Sequence, residues 1–287
     1  MNIYIRSIYI ATLLFFTGCQ SVTPVEESST IYISIAPLRS IVERITCNDF
    51  PVEVVVPSGA SVESYEPTPK QFIALNQAQM IFSTGLLGFE ESIIKRVSRR
   101  DKIFDLSQGI EVIAGSCSHT HHHANHSHGV DPHIWTSPKE LLQMADNCYG
   151  AISKKYPDSL KYREAYTLLS DELRRLDAEC KEKIESSGIS SIFIYHPALT
   201  YYARTYGIEQ VAIESEGKEP SAKRLAEMIE RGRQESIKSI LYQVQYQVSC
   251  VEIVAEDLNA YSVEIDPLNE DIISQIKYIT TIITTGL

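Results

Sequence analysis

The feature that most constrains this chain is a rhythm: two sets of short β-branched runs, separated by one long amphipathic stretch. The first set is IYISIA at 31–36, VEVVVP at 52–57, MIFST at 80–84 and KIFDL at 102–106. The second is SIFIY at 191–195, EQVAIE at 209–214, SILYQV at 239–244 and YSVEID at 261–266. Between the first four lie helical patterns at 37–46, 70–78 and 89–98, the second with Thr68 placed to cap it and Pro69 at its first position. Strands alternating with helical patterns predict parallel sheets, so the fold class is α/β, with two Rossmann-like lobes of four mainly parallel strands each. In the stretch between the sets, Tyr162, Tyr166, Leu169, Leu173, Leu176, Cys180 and Ile184 recur in steps of four and three, with Gly188 suited to the left-handed cap. A helix over 158–187 would extend about 45 Å. A dimeric coiled coil uses the same pattern, but barely four heptads flanked by strands suit a helix joining two lobes better. The expected organisation is an N-terminal lobe over 31–156, a linking helix over 157–187 and a C-terminal lobe over 188–287.

Ahead of the first strand, Arg6 precedes an apolar run at 8–16 that closes on Thr17, Gly18 and Cys19. This reads as an export signal over 1–18; the run is shorter than the about 20 residues a bilayer span needs. A cysteine directly after small residues resembles a bacterial lipoprotein signal, which implies lipidation of Cys19 and a polar tether over 19–30, although Phe16 stands where such signals carry leucine. The other cysteines are Cys47, Cys117, Cys148, Cys180 and Cys250, an odd number for a chain bound for an oxidising compartment, so at least one stays unpaired within the chain. None forms a zinc-ribbon spacing; they read as small core residues or one disulfide. The net charge of -11 argues against a nucleic-acid partner.

Six of the eight histidines, His119, His121, His122, His123, His126 and His128, fall in one segment without apolar periodicity. Imidazole is a ligand for zinc, copper and nickel, so a string of them reads as a secondary, weak metal collector, with Cys117 beside it. The remaining two are isolated, His133 in DPHIWTSP and His196 in IFIYHPALTYYA, each at the mouth of an α/β unit. Either alone is more simply a hydrogen-bonded structural residue. Together, one in each lobe, they suggest a site in the cleft, because such sheets bind ligands beyond the carboxyl ends of their strands.

The stretch PSGASVESYEPTPKQFIALNQAQMIFSTGLLGFE at 57–90 resembles the metal-binding lipoproteins that serve ABC-type zinc and manganese importers, whose pattern here runs G-x-x-P-H-x-Y-E-P-T-P. DPHIWTSP at 131–138, FIYHPALTYYARTYGIEQVAI at 193–213 and EIDPL at 264–268 resemble that family's further signatures, in order. The resemblance implies metal ligands at Glu63, His133, His196 and Asp266, two from each lobe. It departs at Glu63, where the family usually has histidine, with Val62 in place of proline; Glu63 could ligate directly, through water or not at all. Each ligating imidazole needs its second nitrogen held, and Glu214 is a candidate for His196.

The resemblance implies a monomeric solute-binding protein, anchored at the periplasmic or cell surface, that takes up Zn2+, with Mn2+ or Fe2+ as alternatives, and hands it to an ABC permease and its cytoplasmic ATPase. Two histidines with two carboxylates make a competent zinc site, while carboxylates also suit manganese and iron. Two other classes use the same residues: a metal-dependent hydrolase and a metal-scavenging surface adhesin. Against an enzyme, the chain lacks H-E-x-x-H, G-x-S-x-G, P-loop and G-x-G-x-x-G patterns.

Overall fold

A computed structural model describes residues 28–115, 129–214, 218–246 and 249–286. The first sheet holds β1 (Ile31–Ile33), β2 (Val52–Val54), β3 (Met80–Ser83) and β4 (Ile103–Asp105), all parallel, in the order β2-β1-β3-β4. The second holds β5 (Ser191–Ile194), β6 (Glu209–Ala212), β7 (Ser239–Gln243) and β8 (Tyr261–Ile265), again parallel, in the order β6-β5-β7-β8. Both orders reverse direction beside the first strand of the set, and that reversal opens a crevice at the carboxyl ends of the strands.

All eight strands coincide with the runs read from the sequence, and each is shorter than its run. The chain leaves β1 after Ile33 because Pro37 starts a short 3-10 turn at Ala36–Leu38, which leads into α1 (Arg39–Ile45). Thr68 caps α2 (Pro69–Gln77) in a reciprocal capping box with Gln71, and α3 (Gly88–Arg96) follows. Six further helices carry the rest: α4 (Pro138–Lys155), α5 (Leu160–Ser187), α6 (Thr200–Tyr206), α7 (Ala222–Gln234), α8 (Ser249–Leu258) and α9 (Ile272–Thr285).

The linking helix is α5, continuous over 28 residues, with the Ser159 hydroxyl accepting from the Tyr162 N–H at one end and Gly188 at φ 70° closing the other. Its buried face is Tyr162, Leu169, Ser170, Leu173, Leu176, Cys180 and Ile184. That face joins the two lobes rather than merely spacing them. One continuous buried cluster runs from Ile31, Ile41 and Phe82 in the first lobe through Leu169 and Leu173 to Ile276 and Ile279 of α9. Only the outer layer of the second sheet, around Phe193, Val211 and Ile240, forms a separate cluster.

Among the described residues Cys47, Cys148, Cys180 and Cys250 are all free thiols, so the disulfide considered from the sequence is absent among them. Cys148 and Cys180 are core residues and Cys47 is exposed. Burial alone raises the Cys148 thiol far above its usual range, which keeps it protonated and inert. Cys19, Cys117 and the histidine tract at 119–128 lie outside the described residues.

Candidate metal centre

The two halves of the site are built differently, one from loops and the other from strand ends. His133 lies between β4 and α4, where Asp131-Pro132-His133 forms a tight local turn: Asp131 Oδ1 accepts from the His133 backbone N–H and faces its Nδ1, both at 2.9 Å. Aspartate two residues ahead is the usual side-chain mimic of a backbone turn, so the sequence fixes this ring locally. Burial opposes the charge on Asp131, but hydrogen bonds from His133 and Thr200 outweigh it and hold the carboxyl below its usual range. Tyr201 reaches across from α6 and donates to the Asp131 carbonyl at 2.7 Å, fixing the turn to the second lobe.

His196 lies two residues after β5, and Glu214 two residues after β6, its neighbour in the sheet. Parallel register sets the Glu214 carboxylate 2.8 Å from His196 Nδ1. With Nδ1 engaged in this way, Nε2 of each ring is the nitrogen left for a metal. The two rings meet edge to face, their centroids 5.3 Å apart.

Glu63 sits on the loop between β2 and α2, in the other lobe, with its Oε1 3.0 Å from His196 Nε2. Burial works against charge on His196, but the carboxylates of Glu214 and Glu63 on its two nitrogens outweigh it and push the imidazole up to about 9. One ligand atom from each of Glu63, His133 and His196 lies within 4.8 Å of the others, so a single ion could touch all three. The pocket around them is small and largely apolar, walled by Val62, Trp135, Ala198, Tyr246, Pro267 and Leu268. Trp135 ties the lobes there by donating from its indole to the Pro267 carbonyl at 2.8 Å.

The structure thus brings together three of the four residues expected as ligands. Asp266, at the end of β8, stands outside the cluster: its Oδ1 accepts from the Leu268 N–H at 3.1 Å and from Gln245 Nε2 at 3.4 Å. The expected carboxylate at Glu214 is in place. The sequence reading did not find Asp131, whose signal was its position two residues before a histidine, nor Gln243, Gln245 and Tyr246, which carry no local signal.

Comparison with known proteins gives a consistent picture. Residues 31–285 match the family model described as zinc-uptake complex component A, periplasmic. A crystal structure of ZnuA superposes with a TM-score of 0.80 at 27 % identity, over 90 % of this chain and 99 % of that one. The zinc-binding lipoprotein AdcA of Streptococcus pneumoniae is 24 % identical over 91 % of this chain, which spans 55 % of that relative's length. A putative metal-binding protein of Chlamydia muridarum is 27 % identical over 88 % of this chain and 89 % of its own. A laminin-binding protein of Streptococcus agalactiae, described as having adhesin and metal-transporting activity, shares the fold at 18 % identity, with a TM-score of 0.74 over 88 % of this chain and 99 % of its own.

Proposed function

The chain belongs to the family of periplasmic zinc-uptake complex components, and from that premise we propose that it captures zinc in the cleft between its lobes and delivers it to an ABC permease. The family is one of metal-binding transport components, not enzymes, so the hydrolase alternative falls away. Glu63, His133 Nε2 and His196 Nε2 supply three protein ligands, and water takes the fourth position of a tetrahedral ion. One observation carries this reading: three ligand atoms converge within 4.8 Å, and both imidazoles are held by carboxylates through their far nitrogens. Such outer carboxylates fix the tautomer and raise the basicity of the ligating nitrogen. The open fourth position also suits a carrier, which must release its ion as well as hold it.

Lipidation at Cys19 would keep the protein beside the membrane that holds the permease. The histidine tract at 119–128 would collect ions weakly and feed the tight site. A manganese-binding protein is the second reading, favoured by Glu63, because a carboxylate is a harder ligand than the imidazole usual at this position.

The test is elemental analysis of protein purified without a metal-affinity resin, followed by competition titrations with zinc and manganese on the parent, Glu63→Gln and Glu63→His. One tight ion per chain is expected, weakened for both metals by Glu63→Gln, and with zinc favoured more strongly in Glu63→His. Unchanged affinities in both variants would remove Glu63 from the site, and a parent that binds neither metal would overturn the proposal.

A further inference from the structure

The chain carries a net charge of -11, yet one end of its first lobe is basic. Lys95, Arg96, Arg99, Arg100 and Lys102 fall within the eight residues 95–102, with Asp101 the one acid among them. Lys102 is buried, its ammonium donating to the Asn76 and Ala78 carbonyls at 2.7 and 2.9 Å. The other four are exposed, as are Lys154 and Lys155 at the end of α4. Lys95 pairs with Glu91 and Arg99 with Asp101. Arg96, which lies over the Phe72 ring, and Arg100, Lys154 and Lys155 form no ion pair among the described residues. Asp158, beyond Lys155, is the exposed acid nearest to that pair in sequence.

One short turn, 76–79, gathers this charge where the described chain begins. Asn76 accepts from the Ser98 N–H at 2.9 Å, and the Gln77 carbonyl accepts from the Ser28 N–H at 2.9 Å. The Gln79 N–H donates to the Thr30 carbonyl at 2.9 Å, and the Gln79 carbonyl accepts from Lys155 at 3.3 Å. The end of the polar tether therefore enters the fold beside both basic stretches, at the amino ends of β1, β3 and β4. Helix electrostatics account for Lys95, Arg96, Lys154 and Lys155, since bases in a last turn meet the negative end of the helix dipole. Arg99 and Arg100 lie beyond the end of α3 and have no such reason.

We infer that this end of the first lobe is a docking surface for the anionic headgroups of a phospholipid bilayer, on which the protein stands with its second lobe outermost. Each lysine or arginine close to an anionic membrane strengthens binding about fivefold, within a field that fades over about a Debye length, so such a patch acts when something keeps it near. Lipidation at Cys19, nine residues before Ser28, would do so, because that span reaches at most about 30 Å. α5 starts five residues after Lys155 and leads away to β5 in the other lobe. The metal site lies at the carboxyl ends of the strands, so the docked protein holds its cleft off the lipid, where metal is captured. A permease in the same membrane reaches that cleft only once the patch has let go, and the contact separates capture from delivery.

The experiment is lysine footprinting of the mature protein, purified from membranes and reconstituted on vesicles of phosphatidylcholine alone or in equal mixture with phosphatidylglycerol, with no metal added. A soluble acylating reagent and mass spectrometry give a rate for each lysine. Lys154 and Lys155 should react about fivefold more slowly on the anionic vesicles at low salt. Lys181 and Lys183, toward the far end of α5, and Lys223 on α7 should react equally on both. Arg96→Gln with Arg100→Gln should restore the phosphatidylcholine rates, as should high salt; Arg100→Gln alone serves should loss of Arg96 from Phe72 disturb the fold. Equal rates on the two vesicles, protection shared by Lys181, Lys183 and Lys223, or protection that survives loss of the arginines would overturn the proposal. So would a protein that does not co-sediment with the anionic vesicles. Because no metal enters the measurement, none of these outcomes bears on the metal-binding reading.

Discussion

His133 and His196 are the same side chain given the same task, yet the protein positions them in opposite ways. His133 takes its orientation from a residue two places earlier, within one turn. His196 takes its orientation from Glu214, brought alongside by the pairing of β5 with β6, and from Gln243 on β7. The first ring faces a single carboxylate. The second stands between two, one from each lobe, so that in the metal-free protein His196 and Glu63 form a polar bridge across the cleft. A site assembled this way has a locally built half and a half that exists only once the second sheet has formed.

Removing either ring is the largest break. His133→Ala and His196→Ala should each weaken tight zinc binding by more than about a hundredfold, beyond the range of outer-sphere changes. The carboxylates behind them sharpen the contrast. Asp131→Ala and Glu214→Ala should each cost about 10–100-fold in affinity. Asp131→Ala should also lower the melting temperature of the metal-free protein at every pH, because Asp131 satisfies a backbone N–H as well as a ring nitrogen, whereas the loss in Glu214→Ala should fade as pH rises through about 9. Melting temperatures that fall in parallel at all pH values would contradict the local-versus-tertiary distinction.

A smaller effect follows from the two carboxylates on His196. Its folded-state pKa of about 9 lies above the ordinary value, so at neutral pH the ring is an imidazolium and zinc must displace a proton from Nε2. Affinity should therefore rise with pH by about tenfold per unit up to about pH 9 and level off there, with about one proton released per ion at pH 7. The ordinary histidine value of about 6.5 would have placed this change about two and a half units lower. The same raised pKa means that the His196 bridge stabilises the metal-free protein fully below about 6.5 and that this contribution fades as pH rises through about 9. Glu63→Gln should flatten the affinity profile. Calorimetry in buffers of different ionisation enthalpy measures the released proton directly, and a profile already flat above pH 7 would show that His196 is neutral in the metal-free cleft.

The same division governs how much of the molecule could be read from its sequence. All eight strands and the buried face of α5 were legible, because a buried parallel strand and a long amphipathic helix impose their own periodicities. α9 was not. Its segment, IISQIKYITTIITT, is rich in β-branched residues that favour strands, and it is helical because Ile272, Ile276, Ile279 and Ile283 fill the seam against α5. Glu63, His133 and His196 could be named from isolated motifs in a family-like order. That Asp266 stands outside the three-residue cluster could not, since the loops after β2, β5 and β8 meet only in the folded cleft.

The smallest effect concerns the lobes themselves, and it tests whether the two halves of the site are mechanically separate. A solute-binding protein with strand hinges closes by bending where few contacts resist. Here α5 runs unbroken between the lobes, and the seam it forms with α9 belongs to the same buried cluster as the first sheet. Trp135 and Ser40 of the first lobe also bond the backbone of the loop ahead of α9, at Pro267 and Glu270. Closure would have to bend an eight-turn helix or slide a close-packed apolar seam, whereas placing an ion between Glu63 and His196 replaces a contact already 3.0 Å long. The metal should therefore move the site loops, chiefly the loop carrying Glu63 and the turn after β7, and leave the relation of the lobes unchanged. Small-angle scattering should give the same radius of gyration with and without zinc, while hydrogen exchange slows in those loops alone. A measurable contraction on loading would mean that the two half-sites approach as bodies, and that the buried seam is softer than its continuity implies.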